Sequence, residues 1–346
     1  MTPVPGIARN RRGLSSLPAL AGLLLLTLGL SVFLGVADLS VSDIMSVLAG
    51  NGSPEAQSII LDIRLPRIVT GGLAGIHFAV AGLILQTITR NPLADPSIMG
   101  VSQGATLSVT LFLLFSVFLR DPGTTARITE MPLEWLPAVG MVGGLIAGAA
   151  VYALAFRRDL GPLRITLCGI AIGAVLHAIA IGLIAGWGSA RIEVLLEWLS
   201  GSLYARSWEH ALFLAPFTIA GLLALLPIRR ALDLLQFEAP VARSFGLPYR
   251  QHFSFALFLS CGLAASAVGA VGPIVFVGLI VPHLARALAG AKTQLLLPLT
   301  VTLGAITITS GDLIGRLVSQ ADEIPIGAVT AVCGVPLLIA LLRRTP

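Results

Sequence analysis

Residues Arg90–Gly104 read RNPLADPSIMGVSQG, a polar stretch broken by Pro and Gly and set between two apolar runs, Ile68–Ile88 and Ala105–Leu119. With part of the flanking turn, each run has about the 20 residues a helix needs to cross a bilayer. Arg90, Asn91 and Asp95 so close to two spans are costly unless protein buries them or they sit at the water boundary. One reading is an ordinary tight loop. The sharper reading is a segment that re-enters the membrane, as a multi-span transporter requires.

Composition places the whole chain in the same setting. Of 346 residues, 56% are apolar and 11% charged, against about a quarter charged in a soluble domain. The 37 glycines and 21 prolines fit lipid, where glycine lets helices approach closely and proline breaks are tolerated beside protein. The expectation is an all-α polytopic membrane protein with one transmembrane domain over residues 1–346. Apolar runs place ten spans near 17–37, 66–88, 97–119, 135–156, 163–186, 208–228, 251–270, 272–289, 295–315 and 325–342. Only Gly269, Gly272 and Pro273 separate the seventh from the eighth, so nine or eleven spans stay open. Arg9, Arg11 and Arg12 before Leu17–Ala37, with Gly35-Val36-Ala37 behind, also suit a secretory signal. The run is longer than a signal core and many spans follow, so it reads better as span one. Cys168, Cys261 and Cys333 show no metal or disulfide spacing and read as small packing residues.

Ten spans put both termini on one side. Fifteen of the 22 Lys/Arg then fall on that side and 13 of the 17 acids on or near the other. A Lys/Arg excess marks the cytoplasmic face, so both termini are expected in the cytoplasm. The same bias accounts for a pI near 9.7 with no nucleic-acid partner. On the outer side, Val41, Ile44, Met45 and Leu48 have helical spacing, with Ser42 as a cap and Gly50 as a stop, which predicts a short interfacial helix.

The longest inner connection is Arg229–Arg250, RRALDLLQFEAPVARSFGLPYR. Leu232, Leu235 and Gln236 share one side of a short helix, Pro240 opens a second and Gly246 stops it. Two short helices held outside the membrane make a ledge for a cytoplasmic partner; the plain alternative is a solvated loop. With one lysine, Lys292, and no G-x-x-x-x-G-K-[ST], ATP must bind elsewhere. No nucleophile–base pair stands near a candidate pocket, so the chain reads as a non-catalyst.

At this point the motifs carry a resemblance. IRLPR at Ile63–Arg67, AGLILQTITRNPLADPSIMGVSQGA at Ala81–Ala105 and GSLYARSW at Gly201–Trp208 come in order, followed by LDLLQFEAPVARSFGLP at Leu232–Pro248. FVGLIVPHLAR at Phe276–Arg286, GDLIGRL at Gly311–Leu317 and EIPIGAVTAVCGVP at Glu323–Pro336 complete the set. Together they resemble the FecCD-type permease subunit of iron-siderophore, haem and vitamin B12 ABC importers. The resemblance implies a type II importer fold of ten helices in the bacterial inner membrane. It also implies a second permease subunit (an identical copy or a sister), two cytoplasmic ATPase subunits that use ATP and Mg, and an extracytoplasmic substrate-binding protein. This subunit would hold no cofactor or metal of its own.

Carried over by motif, residues 232–248 become the segment that couples to the ATPase, with Leu232, Leu235, Glu238, Pro240, Arg243 and Gly246 in that role. Phe237 stands where the family has glycine, and Ala239-Pro240 replaces an acidic, helix-favouring pair, which weakens charge pairing there. Arg64, Arg67 and Arg316 take the positions at which the family meets acidic residues of the binding protein, a contact suited to the forked guanidinium. Pairing inside the chain with Asp62 or Asp312 is the alternative. Arg90, Asn91, Pro92, Asp95, Pro282, His283, Arg286, Glu323 and Pro325 are motif positions expected to hold structure, with Arg90 and Asp95 able to pair. His77 and His177 lie mid-span without an assigned role. The cargo expected is an iron(III)-siderophore, with haem or cobalamin as alternatives. An ion-driven secondary transporter is the rival of a different class, disfavoured because acids cluster at span ends.

Overall fold

The computed structural model describes residues 5–35, 37, 39–118, 133–156, 161–185, 198–289, 293–318 and 324–342. Among these the chain is helical, with no strand. The helices are α1 Pro5–Phe33, α2 Val41–Leu48, α3 Pro54–Gln57, α4 Leu65–Thr89, α5 Val101–Leu113, α6 Leu136–Phe156 and α7 Pro162–Ala185. There follow α8 Trp208–Leu235, α9 Ala239–Ser244, α10 Tyr249–Val271, α11 Val277–Ala289, α12 Thr293–Val318 and α13 Ile326–Leu342. Apolar helices thus occupy all ten expected spans. Seven are long and apolar enough to cross a membrane; α5, α11 and α13 are shorter.

Helix α4, entered from α3 through a π-helical turn at Ser58–Arg64, is the axis of the bundle. It is buried along nearly its whole length and packs against α8, α10, α11 and α12. Helices α5, α6 and α7 form a second group, joined to the first through α10, and α1 lies on α11 and α12. In lipid no hydrophobic force draws one apolar helix to another, so close backbone approach decides which helices meet. A methyl group added at Gly82 would collide with the backbone of Gly278, and one at Gly75 with that of Gly304. Gly143 and Gly269 pack against Gly104 and Pro137 in the same way, as expected of glycines in apolar surroundings.

Both short inner spans begin with broken backbone. After α4, Arg90 takes a left-handed conformation (φ 53°) and Asn91 Oδ1 accepts from Leu93 N–H. The chain then turns back until Asp95 lies against Gly278, which packs on Gly82. Gly82 is seven residues before the end of α4, about 10 Å along the helix. Residues 90–100 therefore climb back to membrane depth, as the re-entrant reading requires. The second break follows α10, where Gly272 (φ 78°) and Phe276 (φ 70°) bound an unwound segment before α11 starts at the depth of Gly82. This break separates the seventh span from the eighth.

Three local expectations change. The cap of α2 is Ser40, whose hydroxyl accepts from Asp43 N–H while Asp43 closes the capping box; Ser42 instead sits one position inside the helix. The first of the two short inner helices is absent as a separate element, because α8 runs on without interruption to Leu235. Cys261 is buried and Cys168 partly so, but Cys333 is exposed.

Candidate functional site

The two breaks meet at one cavity of about 430 Å³, bounded by α5, α7, Ser97 of the first break and Pro273 and Val275 of the second. Irregular backbone at membrane depth persists where protein covers it or where it lines a cavity. The backbone N–H and C=O groups of Ile274 and Val275 make no backbone hydrogen bond among the described residues. Gln103 from α5 and His177 from α7 face the same space. The buried Gln103 Oε1 has no hydrogen-bond partner among the described residues. His177 thus acquires a place that the sequence did not supply.

Asp95 helps to hold the first break. Its Oδ1 accepts from Ser97 N–H at 2.8 Å, and its Oδ2 rests beside Gly278 in the first turn of α11, where the helix dipole favours a negative charge. The expected Arg90–Asp95 pair does not form: the left-handed turn leaves Arg90 exposed while Asp95 points into the protein. Asn91 and Pro92 complete the turn between them, with Ala94 N–H donating to Asn91 C=O.

Pro282 sits inside α11 and has no N–H to give the carbonyl four residues back, Gly278. Gln86 of α4 fills that vacancy, its Nε2 donating to Gly278 C=O at 3.1 Å and to Leu279 C=O at 3.2 Å. Arg286 then donates to Gln86 Oε1, tying both ends of α11 to α4. His283 is next to Pro282 and only partly exposed. The sequence reading missed Gln86; the signal was a lone amide in the apolar run of span two.

On the opposite side of the bundle, Arg64, Arg67 and Arg316 are only 4%, 8% and 6% exposed. Arg67 grips Asp312 with Nε at 3.0 and 3.1 Å and Nη2 at 2.7 Å. Arg316 reaches the same carboxylate at 3.1 Å and Leu34 C=O at 3.3 Å. Arg64 donates to the carbonyls of Val32 and Ala37 at the end of α1. Within this chain all three guanidinia have internal partners, and the local alternative with Asp312 is present for Arg67 and Arg316. Asp62 is not among their partners in any hydrogen bond or ion pair of the described residues. Arginine was read as a surface residue because hydropathy cannot locate a buried carboxylate on a distant helix.

At the inner connection, Pro240 opens α9 in its first turn and Gly246 (φ 80°) closes it. Leu232 and Leu235 are 2% and 0% exposed and belong to the core, so they cannot touch a partner. The outward surface is made by Phe237, Val241 and Phe245, all exposed, with Glu238 and Arg243 beside them. Arg243 lies over the Tyr249 ring at 6.0 Å. Pro325 accepts from Ala328 and Val329 N–H at the start of α13; Glu323 lies outside the described residues.

His77 is fully buried and bridges three helices, with Nδ1 at 2.9 Å from Ser266 Oγ and Nε2 at 2.6 Å from Thr218 Oγ1. It therefore pins α4 to α8 and α10 and does not line the cavity. Among the described residues no cluster of His, Cys, Asp or Glu could hold a metal ion.

A family model described as the FecCD transport family matches residues 23–344. The ferric enterobactin transport system permease protein FepD of Escherichia coli is 35% identical over 333 residues, 95% of each chain. The iron-uptake system permease protein FeuC of Bacillus subtilis is 32% identical over 293 residues, 84% of this chain and 86% of its own. A solved inward-facing conformation of a metal-chelate type ABC transporter superposes with a TM-score of 0.83 at 31% identity, covering 95% of this chain and 99% of that one.

Proposed function

This chain belongs to the FecCD transport family, and from that premise we propose that it passes an iron(III)-siderophore across the bacterial inner membrane. It is the permease of an ATP-binding-cassette importer. In this reading a second permease subunit completes the pathway, a binding protein delivers cargo from outside, and two ATPase subunits dock below. The termini face the cytoplasm, in keeping with the Lys/Arg bias. ATP and Mg are used by the ATPases, and this subunit holds no cofactor.

The observation that carries the reading is the pair of broken segments meeting at a mid-depth cavity that no charged side chain lines among the described residues. An ion-driven carrier needs free acids at such a place. Asp95 and Asp312 do lie buried, contrary to the expectation that acids keep to span ends, but one oxygen of Asp95 is held by Ser97 and Asp312 is gripped by arginines. The test is uptake into proteoliposomes holding the permease, its ATPase and its binding protein. ATP-dependent, vanadate-sensitive entry of a ferric siderophore is expected, with haem and cobalamin as competing cargoes. Uptake that runs without ATP and collapses with an ion gradient overturns the proposal.

Residues 232–248 couple the permease to the ATPase through Phe237, Val241 and Phe245, whose apolar side chains are exposed among the described residues. Aromatic anchors buried at an interface contribute about 2 kcal/mol or more each. Phe245→Ser is therefore expected to weaken ATPase capture in detergent roughly tenfold or more. Gly246→Val forces a β-branched residue into a left-handed turn and is expected to separate ATP hydrolysis from uptake. Normal capture by the first and coupled uptake by the second would refute the assignment.

A further inference from the structure

The cavity between α5 and α7 has a chemistry that the proposed cargo would recognise. Its volume, about 430 Å³, lies within the range of about 300–1,000 Å³ typical of small-molecule sites. Ser97, Gln103, Thr106 and His177 supply hydroxyl, amide and imidazole groups, and Val275 of the unwound segment adds backbone groups that make no backbone hydrogen bond among the described residues. Each of these can donate or accept a hydrogen bond. The Gln103 side chain reaches across to Gly173 of α7, and its Oε1 has no hydrogen-bond partner among the described residues.

We propose that Gln103 and His177 form the contact in this permease that reads the carried iron chelate, by hydrogen bonds to its oxygen-rich ligand shell. A chelate wraps iron in carboxylate, hydroxamate or catecholate oxygens and turns carbonyl, amide and hydroxyl groups outward, which is the complement of this wall. No Asp, Glu, Lys or Arg lines this wall among the described residues, so hydrogen bonds rather than carboxylate or guanidinium pairs hold such a molecule. Gln103 and His177 stand on different helices, α5 and α7, so the contact also senses how far the two are apart. The inference rests on the importer reading above and adds the residues that discriminate cargo.

The experiment uses the complete complex in proteoliposomes and three probes: ferric dicitrate, a ferric trihydroxamate and a ferric tricatecholate. His177→Phe and Gln103→Leu keep volume and remove hydrogen bonding. Each is expected to raise the apparent KM for the carried chelate about three- to tenfold, with ATP hydrolysis in the absence of cargo unchanged. His177→Gln is expected to restore KM to within about twofold, since it still donates and accepts. In a Cys168→Ser, Cys333→Ser background, His177→Cys should react with a maleimide, and the carried chelate should protect it. Unchanged KM and no protection overturn the inference while leaving the importer reading intact. A joint fall in uptake and cargo-free hydrolysis assigns the residues to structure and also overturns it. Should the unaltered complex carry none of the three chelates, the iron-chelate cargo of the proposed function itself fails.

Discussion

Replacing Asp312 by Asn tests whether the outer arginines belong to the fold. The Asp312 carboxylate is 3% exposed and takes Arg67 at 2.7, 3.0 and 3.1 Å and Arg316 at 3.1 Å. Asn keeps the shape and one acceptor oxygen but removes the negative charge that faces both buried guanidinia. Removing one partner of a buried pair costs about 3–5 kcal/mol, chiefly the penalty of the charge left behind. At roughly 2 °C per kcal/mol for a chain of this size, the unfolding midpoint should fall by about 6–10 °C. Cys261 is buried, so unfolding can be followed in detergent by the reaction of its thiol with a fluorogenic maleimide in a Cys168→Ser, Cys333→Ser background. Glu238→Gln, at an exposed site, serves as the control and should move the midpoint by less than about 1 °C. Arg67→Gln should destabilise in the same sense, because it strips the bidentate grip from Asp312. A docking residue would behave in the opposite way, leaving the midpoint in place and weakening capture of the binding protein. An Asp312→Asn midpoint within about 1 °C of the unaltered chain would refute the buried-pair argument.

Two further perturbations probe the frame around the cavity. Gly82→Ala places a methyl group against the backbone of Gly278 and should destabilise by about 1–3 kcal/mol through overpacking. Gly262→Ala, where nothing lies within 4 Å of the added carbon, should be neutral or stabilising by up to about 1 kcal/mol; equal effects on the thermal midpoint would refute the α4–α11 contact. His77→Phe leaves Ser266 and Thr218 without the ring nitrogens they bridge and should cost about 1–3 kcal/mol, while the KM for cargo stays as it was. A change in KM with no change in midpoint would move His77 from the frame to the pathway.

Much of this was legible in the chain. Ten apolar runs became ten helices because hydropathy is local: each segment leaves water on its own account, whatever its neighbours. The polar stretch 90–104 announced its re-entry for the same reason, since Arg, Asn and Asp beside two spans need either water or protein. Gly272 and Pro273 marked the second break, because no helix continues smoothly through that pair. Pro240 and Gly246 likewise set the ends of α9.

Which residues meet was decided only in three dimensions. Arg67 and Asp312 are 245 residues apart, and nothing in either motif says that one will neutralise the other. Leu232 and Leu235 have the same spacing whether they face a partner or the core; the rotation of α8 about its axis buries them, while Phe237 past its end and Phe245 at the end of α9 stay exposed. Gln86 finds the carbonyl that Pro282 leaves open because Gly82 and Gly278 let α4 and α11 come into backbone contact. Composition commits each segment to lipid, residue by residue, through free energies that add along the chain. Contacts between segments depend on helix rotation and separation, which are set by the packing of the whole bundle at once.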